Sequence, residues 1–344
     1  MRIVVVGGGI GGLTVARSLW RAGFDVLVLE QARQYAEVGA GVQLGPNATR
    51  VLERLGLGER MAEIGVTPAA VRMLRWADDS VLSDMRIAQD AQARFGAPYY
   101  TVYRPDLIEI LSEGLPAGMV RLGSSVTEVI TGDKPEVRLS DGTVETADVV
   151  VGADGTHSRV RACTVGDVSA RFSRMVAYRA LVPWDELPPG TETVVCSRLG
   201  PGRHLVVYPV GRGARWMNLV AVVPEPVWAT ESWTAPGTPD ELRAHFEGWA
   251  PGARALLRSV RGPVYRWALY DRDPMLHWST ANTTLLGDAC HPMLPFMAQG
   301  AAQAIEDAAA LAACLRRNSG EPVAALARYE VARQPHTARI QQLS

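Results

Sequence analysis

After Arg2, residues 3–6 form an uninterrupted, β-branched apolar run, and 2–6 is predicted as a strand buried on both faces in a parallel sheet. The glycines that follow predict a turn into a helix over 11–22, with Gly23 in the C-cap place. Residues 24–29 predict a second strand with Glu30 at its carboxyl end, so the chain opens as a βαβ unit. Two further stretches, 71–77 and 81–85, are split by Asp78-Asp79-Ser80 and predict a hairpin. A strand over 99–103 leads to Arg104 and a helix whose first position suits Pro105. Residues 136–140 and 143–145, joined by Asp141-Gly142, predict a second hairpin that feeds an apolar strand over 148–151.

From about 170 to 269 the pattern changes to alternating strands interleaved with prolines and tryptophans. Strands over 177–182, 194–197, 205–210 and 216–223 predict an antiparallel or mixed sheet. A proline-rich excursion over 224–239 precedes a helix opened by the capping box Thr238-Pro239-Asp240-Glu241. The first pattern resumes near 283 and ends in an alanine-rich helix over 300–317. The expectation is an α/β chain: a discontinuous Rossmann-like dinucleotide domain (1–70, 98–169 and 270–344) with an inserted mixed-sheet domain (71–97 and 170–269). No internal repeat or low-complexity tract interrupts it.

A length of 344 residues suits two domains sharing an interface. With 47% hydrophobic residues there is enough apolar material for buried parallel strands, and a net charge of -1 leaves no footprint for nucleic acid. Lys134 is the only lysine. That removes a Walker lysine for ATP chemistry and a buried lysine for Schiff-base chemistry. The four cysteines (Cys163, Cys196, Cys290, Cys314) show no metal-ligand or CxxC spacing, so no metal and a reduced, cytoplasmic protein are expected. Arg2 and its apolar run mimic a secretory signal only in part, because glycines interrupt the run. No apolar stretch approaches the roughly 20 residues of a spanning helix, and a soluble protein without a membrane partner is expected.

Gly7, Gly9 and Gly12 fit G-x-G-x-x-G between a strand and a helix. The first permits a tight turn, the second lets a pyrophosphate approach the backbone, and the third lets the helix pack closely. The helix N-terminus then attracts the phosphates. Glu30 follows Gly12 by 18 residues, where a carboxylate accepts ribose hydroxyls and repels a 2′-phosphate. The fingerprint alone does not separate FAD from NAD. Asp154-Gly155, alone, reads as a turn after a strand; Arg104, alone, reads equally as a surface arginine capping a strand. In the strand over 205–210, residues two apart share a face, so His204, Val206, Tyr208 and Val210 lie together with Leu205 and Val207 opposite. On spacing alone that pair is more often a hydrogen-bonded core pair. Cys290 and His291 read as pocket lining at most, and Glu306 and Asp307 as structural.

Three segments taken together carry more: residues 3–12, Val151-Gly152-Ala153-Asp154-Gly155 with Ser158 and Arg161, and Leu286-Gly287-Asp288-Ala289-Cys290-His291-Pro292 running into Pro295 and Gly300. In this order they resemble the FAD-dependent aromatic hydroxylases, the single-component flavoprotein monooxygenases, over nearly the whole chain. The likeness is greatest to the salicylate and 6-hydroxynicotinate hydroxylases, through the stretches 39–47 and 329–333. It implies a glutathione-reductase-type FAD-binding domain with an inserted substrate domain. It also implies NADH or NADPH and O2 as co-substrates, and hydroxylation of a small electron-rich aromatic ring through a flavin C4a-hydroperoxide. It assigns Asp154 to the pyrophosphate region, Asp288 to the ribityl chain, Pro295 to the ring edge, and Gly300 and Ala301 to the N1–O2 edge of the flavin. Arg104 would reach FAD and Val126 would pass the adenine. His204 and Tyr208 would meet the substrate, with His204 accepting the ring-hydroxyl proton directly or through Tyr208. Gln43 stands where the nicotinate enzymes carry a histidine, which leaves the substrate open. Two alternatives stand beside this reading: a larger polyketide or indole-type substrate shaped by the 228–249 region, and a flavin carrier or regulator without turnover. The resembled enzymes usually continue with more helix beyond Arg333, and the sequence leaves open whether the C-terminus is truncated.

Overall fold

The structure, a computed structural model, describes residues 1–35, 40–166, 170–227 and 235–344, with Ala88 and Gln89 described only in backbone. The opening run forms the strand Arg2–Val6 at the centre of a six-stranded sheet. Its neighbours Asp25–Leu29 and Val149–Gly152 run parallel to it, residue for residue: Val5 lies opposite Val28 on one side and Val151 on the other. Thr283–Leu285 and Val120–Arg121 extend the parallel set, and Ser279–Thr280 closes one edge antiparallel. Ile3, Val4 and Val5 are fully buried, as a strand covered on both faces requires. The helix Ile10–Arg21 packs against the helix Gly300–Arg317, which in turn packs on Pro322–Leu343. An antiparallel three-stranded sheet (Val126–Ile130, Glu136–Leu139, Val144–Thr146) contributes Val129, Val137 and Leu139 to the same core.

The insert is an eight-stranded, mostly antiparallel sheet. The expected hairpin, Val71–Arg75 with Val81–Met85, joins its edge by a parallel pairing to Val195–Gly200. The long strand Arg171–Pro183 sits between Trp216–Pro224 and Val264–Asp271, and Arg203–Val210 lies between Trp216–Pro224 and Val195–Gly200. Alternation sorts the side chains. Leu205, Val207, Val176, Tyr178 and Ala180 pack under Leu242, Phe246, Trp249, Ala253 and Leu257 of the helical cover. The opposite face carries Val206, Tyr208, Ala177 and Trp267, as the two-residue period requires.

Several boundaries differ from the sequence reading. The strand expected over 177–182 begins at Arg171, with a register shift between Phe172 and Val176. Tyr100–Tyr103 pairs with Gly41–Leu44 in a separate two-stranded ladder instead of joining the large nucleotide sheet. The capping box at Thr238 is formed in full. The helix Pro322–Leu343, left unassigned by the sequence, continues through Pro335. Trp249 belongs to the helical cover, on the side of the sheet away from His204, so it does not shape a pocket there. Trp228 and the rest of 228–234 lie outside the described residues, as does Gly39.

Candidate active site

Gly7 has φ +102, a value L residues rarely adopt, and a Cβ on it would fall 2.4 Å from the Ala153 carbonyl oxygen. A Cβ on Gly12 would fall 1.9 Å from the Gly7 carbonyl oxygen, whereas one on Gly9 would meet nothing within 4 Å. Gly7 and Gly12 are thus required by the protein's own packing. The space beside Gly9 lies open at the start of the helix. Glu30 turns back to this turn: its carboxylate accepts N–H bonds from Gly8 at 2.6 Å and Ala32 at 2.8 Å. Tyr35 stands over the same spot, its hydroxyl pushed up to about 12 by burial and then by Glu30.

Asp154 follows the strand Val149–Gly152 and accepts hydrogen bonds from the Ser158 hydroxyl at 2.5 Å and from the N–H groups of Arg159 and Val160. Ser158 in turn accepts from the Arg161 N–H, so the two side chains cap the helix Arg159–Thr164. Burial raises the Asp154 carboxyl, and these donors oppose the rise. Arg161 spans the gap between motifs, donating to the carbonyls of Thr156 and Ala289.

Asp288 sits in a short 3-10 turn close to the start of Gly300–Arg317; a Cβ on Gly300 would lie 3.8 Å from its carboxylate. It keeps exposure to solvent, yet protein surrounds it closely enough for desolvation to raise its carboxyl, against the pull of His291 and Arg104. Among the described residues nothing donates a hydrogen bond to it. Arg104, first residue of the helix Arg104–Ser112, has its guanidinium lowered by desolvation and held up by Glu30 and Asp288. It makes no side-chain hydrogen bond to a described residue. An arginine unpaired between two acids from opposite ends of the chain is suited to an anion with polar groups on either side. The helix behind Asp288 begins at Gly300 and Ala301, after Pro295–Met297 and a left-handed Ala298. Val126 is half-buried at the rim, opposite Leu139.

Across from the nucleotide sheet, His204 meets Phe296 edge-on at 5.3 Å between ring centres, and burial lowers its pKa. Tyr208 is pushed up to about 12 by burial, eased by Arg179 and by its hydrogen-bonding neighbour Gln43. Gln43 also accepts from the Tyr99 hydroxyl at 2.6 Å. Asn218 holds the Gly41 N–H at 2.7 Å, and a Cβ on Gly41 would strike the Tyr208 ring at 2.4 Å. His204 and Tyr208 share a face as expected but stand four residues apart on one strand, about 13 Å at ~3.3 Å per residue. Tyr208 is tied to Gln43, not to His204. Sequence reading missed Tyr99, Asn218, Arg179 and Trp267; the one available signal was Arg179, a charge inside the apolar run 175–182.

Cys290 and His291 do not line a pocket. Both are buried, and His291 Nε2 lies 2.5 Å from Asp307. Asp307 also accepts from Arg333 Nε at 2.7 Å and from the Gly287 N–H. The fold brings Cys290, His291 and Asp307 within 4.8 Å of one another, a grouping that spacing did not reveal, but Arg333, His291 and Gly287 engage the carboxylate. The reading of Asp307 as structural agrees with this network. A groove of about 520 Å³ between Arg50, Arg54, Gln303 and His336 touches none of the proposed cofactor or substrate residues.

A family described as FAD binding domain matches residues 1–344. The 3-amino-4-hydroxybenzoate 2-monooxygenase of Streptomyces platensis is 43% identical, over 100% of this chain and 86% of its own length. The chain belongs to the FAD-dependent aromatic hydroxylases. The 6-hydroxynicotinate 3-monooxygenase of Pseudomonas fluorescens, another relative, is 36% identical over 100% of this chain and 90% of its own. Klebsiella pneumoniae HpxO, solved with FAD and uric acid, superposes with a TM-score of 0.88 at 27% identity, covering 100% of this chain and 86% of that one. This hydroxylase therefore has the FAD-binding monooxygenase fold and is an FAD-dependent oxidoreductase. Among the described residues no helix is long and apolar enough to cross a membrane.

Proposed function

We propose that this hydroxylase uses NADH or NADPH and O2 to hydroxylate a small phenolic or hydroxypyridine-like ring. One oxygen atom enters the ring, the other leaves as water, and the nicotinamide supplies two electrons. Bound flavin supplies the transfer of those electrons and the activation of oxygen. What supports FAD at this site is the open space at Gly9 together with Arg104, unpaired between Glu30 and Asp288. In this reading Gly7, Gly9 and Gly12 admit the pyrophosphate, Glu30 holds the ribose and Asp288 the ribityl chain. Arg104 neutralises phosphate charge. Asp154 acts through the helix it caps, and Val126 borders the adenine. Pro295, Gly300 and Ala301 border the ring, where backbone N–H groups at a helix start stabilise negative charge.

The face of the inserted sheet carries the aromatic part of the proposal. Pro295 and Gln43 line the substrate pocket, and Gln43 orients Tyr208. His204, kept neutral by burial, accepts the proton of the ring hydroxyl. The domain division follows: 1–70, 98–169 and 270–344 bind FAD, and 71–97 with 170–269 bind substrate. Its support is that residues 71–85 pair into the inserted sheet and not into the nucleotide sheet. Four unbridged cysteines support a reducing, cytoplasmic setting.

What supports the reading most is that Glu30 accepts from the Gly8 N–H and that Arg104 lies under the charge of both Glu30 and Asp288, while Phe296, next to Pro295, meets His204 of the inserted sheet. The test is to load the protein with FAD, supply NADH or NADPH, and score hydroxybenzoates, hydroxypyridines and polycyclic phenols for stimulated nicotinamide oxidation and a product 16 mass units heavier (one O atom, or its equivalent after decarboxylation). A protein that takes up no FAD, or turns over none of them, overturns it.

A further inference from the structure

Arg179 lies in the middle of the inserted sheet, on the long strand Arg171–Pro183. Its neighbours two residues away, Ala177 and Leu181, belong to the face shared with Trp267, Val222, Val206 and Tyr208. Arg179 therefore projects from the face that carries His204 and Tyr208, and not toward the helical cover. Cross-strand pairing puts it in one row with Val220 and Val206, between the rows of His204 and Tyr208.

The guanidinium carbon stands 3.3 Å from the centre of the Trp267 ring. Such stacking fixes the plane of the fork and leaves its edge to meet a partner. The Nε is sealed from solvent without a hydrogen-bond partner, and among the described residues nothing accepts a hydrogen bond from any part of this side chain. Desolvation lowers its pKa to about 10; its titratable neighbours are Tyr208, whose own pKa is pushed up to about 12 so that the hydroxyl is neutral at pH 7, and Arg104, which opposes the cation. No carboxylate is among them. A guanidinium taken out of water without a counter-ion is costly, and the residue keeps some accessible surface. The proposed cofactor phosphates already have Arg104 and the glycine turn. The anion that completes Arg179 must enter on the His204–Tyr208 side, where the ring binds.

We propose that Arg179, held on Trp267, binds a carboxylate on the aromatic substrate and makes the enzyme selective for ring acids over their neutral analogues. This rests on the aromatic-hydroxylase reading above and narrows it to aromatic carboxylates. The planar fork donates to both carboxylate oxygens, and anchoring that group sets which ring carbon faces the flavin side.

The experiment titrates FAD-loaded protein with 3-amino-4-hydroxybenzoate, 6-hydroxynicotinate and their carboxamides, following flavin absorbance and NADH or NADPH oxidation. Wild type should bind an acid roughly tenfold to hundredfold more tightly than its amide. Arg179→Gln should erase that preference while FAD affinity stays unchanged, and Arg179→Lys, which keeps charge without the fork, should retain part of it. An unaltered acid preference in Arg179→Gln, or a wild type that binds amides as well as acids, overturns the carboxylate assignment and leaves the hydroxylase reading standing. A tenfold loss of FAD affinity in Arg179→Gln overturns it by giving the residue to the cofactor. If neither acids nor amides perturb the flavin or stimulate oxidation in wild type, this proposal falls, and the broader ring panel then decides the parent reading by itself.

Discussion

His291 and Asp307 form a buried pair, 2.5 Å from Nε2 to Oδ2, that ties the turn bearing Asp288 to the helix Gly300–Arg317. Burial works against the charged His291, but its neighbours Cys290 and Asp307 raise its pKa well above the ordinary value. Asp307 supplies this at neutral pH, because burial pushes the Cys290 thiol up to about 11 and keeps it uncharged. Burial likewise opposes the Asp307 carboxylate, and His291 and Arg333 more than compensate, lowering its pKa.

The first prediction concerns stability against pH. Asp307 is depressed, so its contribution is present above the unfolded value of ~3.9 and is lost as pH falls through the folded one. His291 is raised, so its contribution is complete below ~6.5 and is lost as pH rises through the elevated folded pKa. Asp307→Asn should cost about 3–5 kcal/mol near pH 6, since it leaves His291 buried without its anion and takes from Arg333 one of its two carboxylate partners, Glu306 remaining. Chemical unfolding of both proteins from pH 4 to 9 checks this; parallel stability curves would show that the pair does not act as charges.

A second prediction separates glycines needed by the fold from those needed by the ligand. Gly12→Ala drives a methyl group into the Gly7 carbonyl and should unfold or severely destabilise the protein. Gly9→Ala meets open space from an ordinary φ of -76. It should leave the melting temperature of the apoprotein within a few degrees of wild type while weakening FAD at least roughly tenfold. Equal FAD affinity in Gly9→Ala would place the pyrophosphate elsewhere.

Asp288→Ala removes a carboxylate to which no described residue donates a hydrogen bond, so the fold loses little. Hydrogen bonds from ribityl hydroxyls to a charged acceptor contribute about 1–3 kcal/mol, and FAD should bind roughly tenfold or more weakly. Titration of apoprotein with FAD measures it, and an unchanged constant would reduce the motif to a structural turn.

His204→Ala should keep oxidising the nicotinamide while releasing more hydrogen peroxide per product, because the ring needs its proton removed only when oxygen is transferred. Burial lowers the His204 pKa, so the base is neutral and competent at pH 7. Wild-type coupling should fall only as pH drops below ~6.5, the ordinary histidine value. The ratio of product to nicotinamide consumed, measured from pH 5 to 8, checks both statements. Identical ratios in mutant and wild type would return His204 to a packing role against Phe296.

What the sequence determined by itself is what repeats over a few residues. An unbroken β-branched run could only be a buried central strand, and Gly7, Gly9 and Gly12 could only open a tight strand-to-helix turn. The two-residue period sorted His204 and Tyr208 from Leu205 and Val207. The capping box at Thr238 and the alanine-rich helix from Gly300 were equally local. Tertiary structure decided everything that depends on which strand lies beside which. Glu30 and Asp288 come to the same end of the molecule because the nucleotide sheet assembles its strands out of chain order, and Arg104 joins them from the separate ladder of Gly41–Leu44 with Tyr100–Tyr103. Likewise Arg179 reaches Trp267 because Val264–Asp271 returns antiparallel to its strand. The last helix makes the same point. Pro335 removes an N–H and argues for a break, yet the helix continues, held by Tyr329 on the Leu285 carbonyl, Arg333 on Asp307 and Gln341 on the carbonyls of Arg272 and Pro292. Local preference there amounts to a few kcal/mol, and long-range hydrogen bonds on one buried face outweigh it.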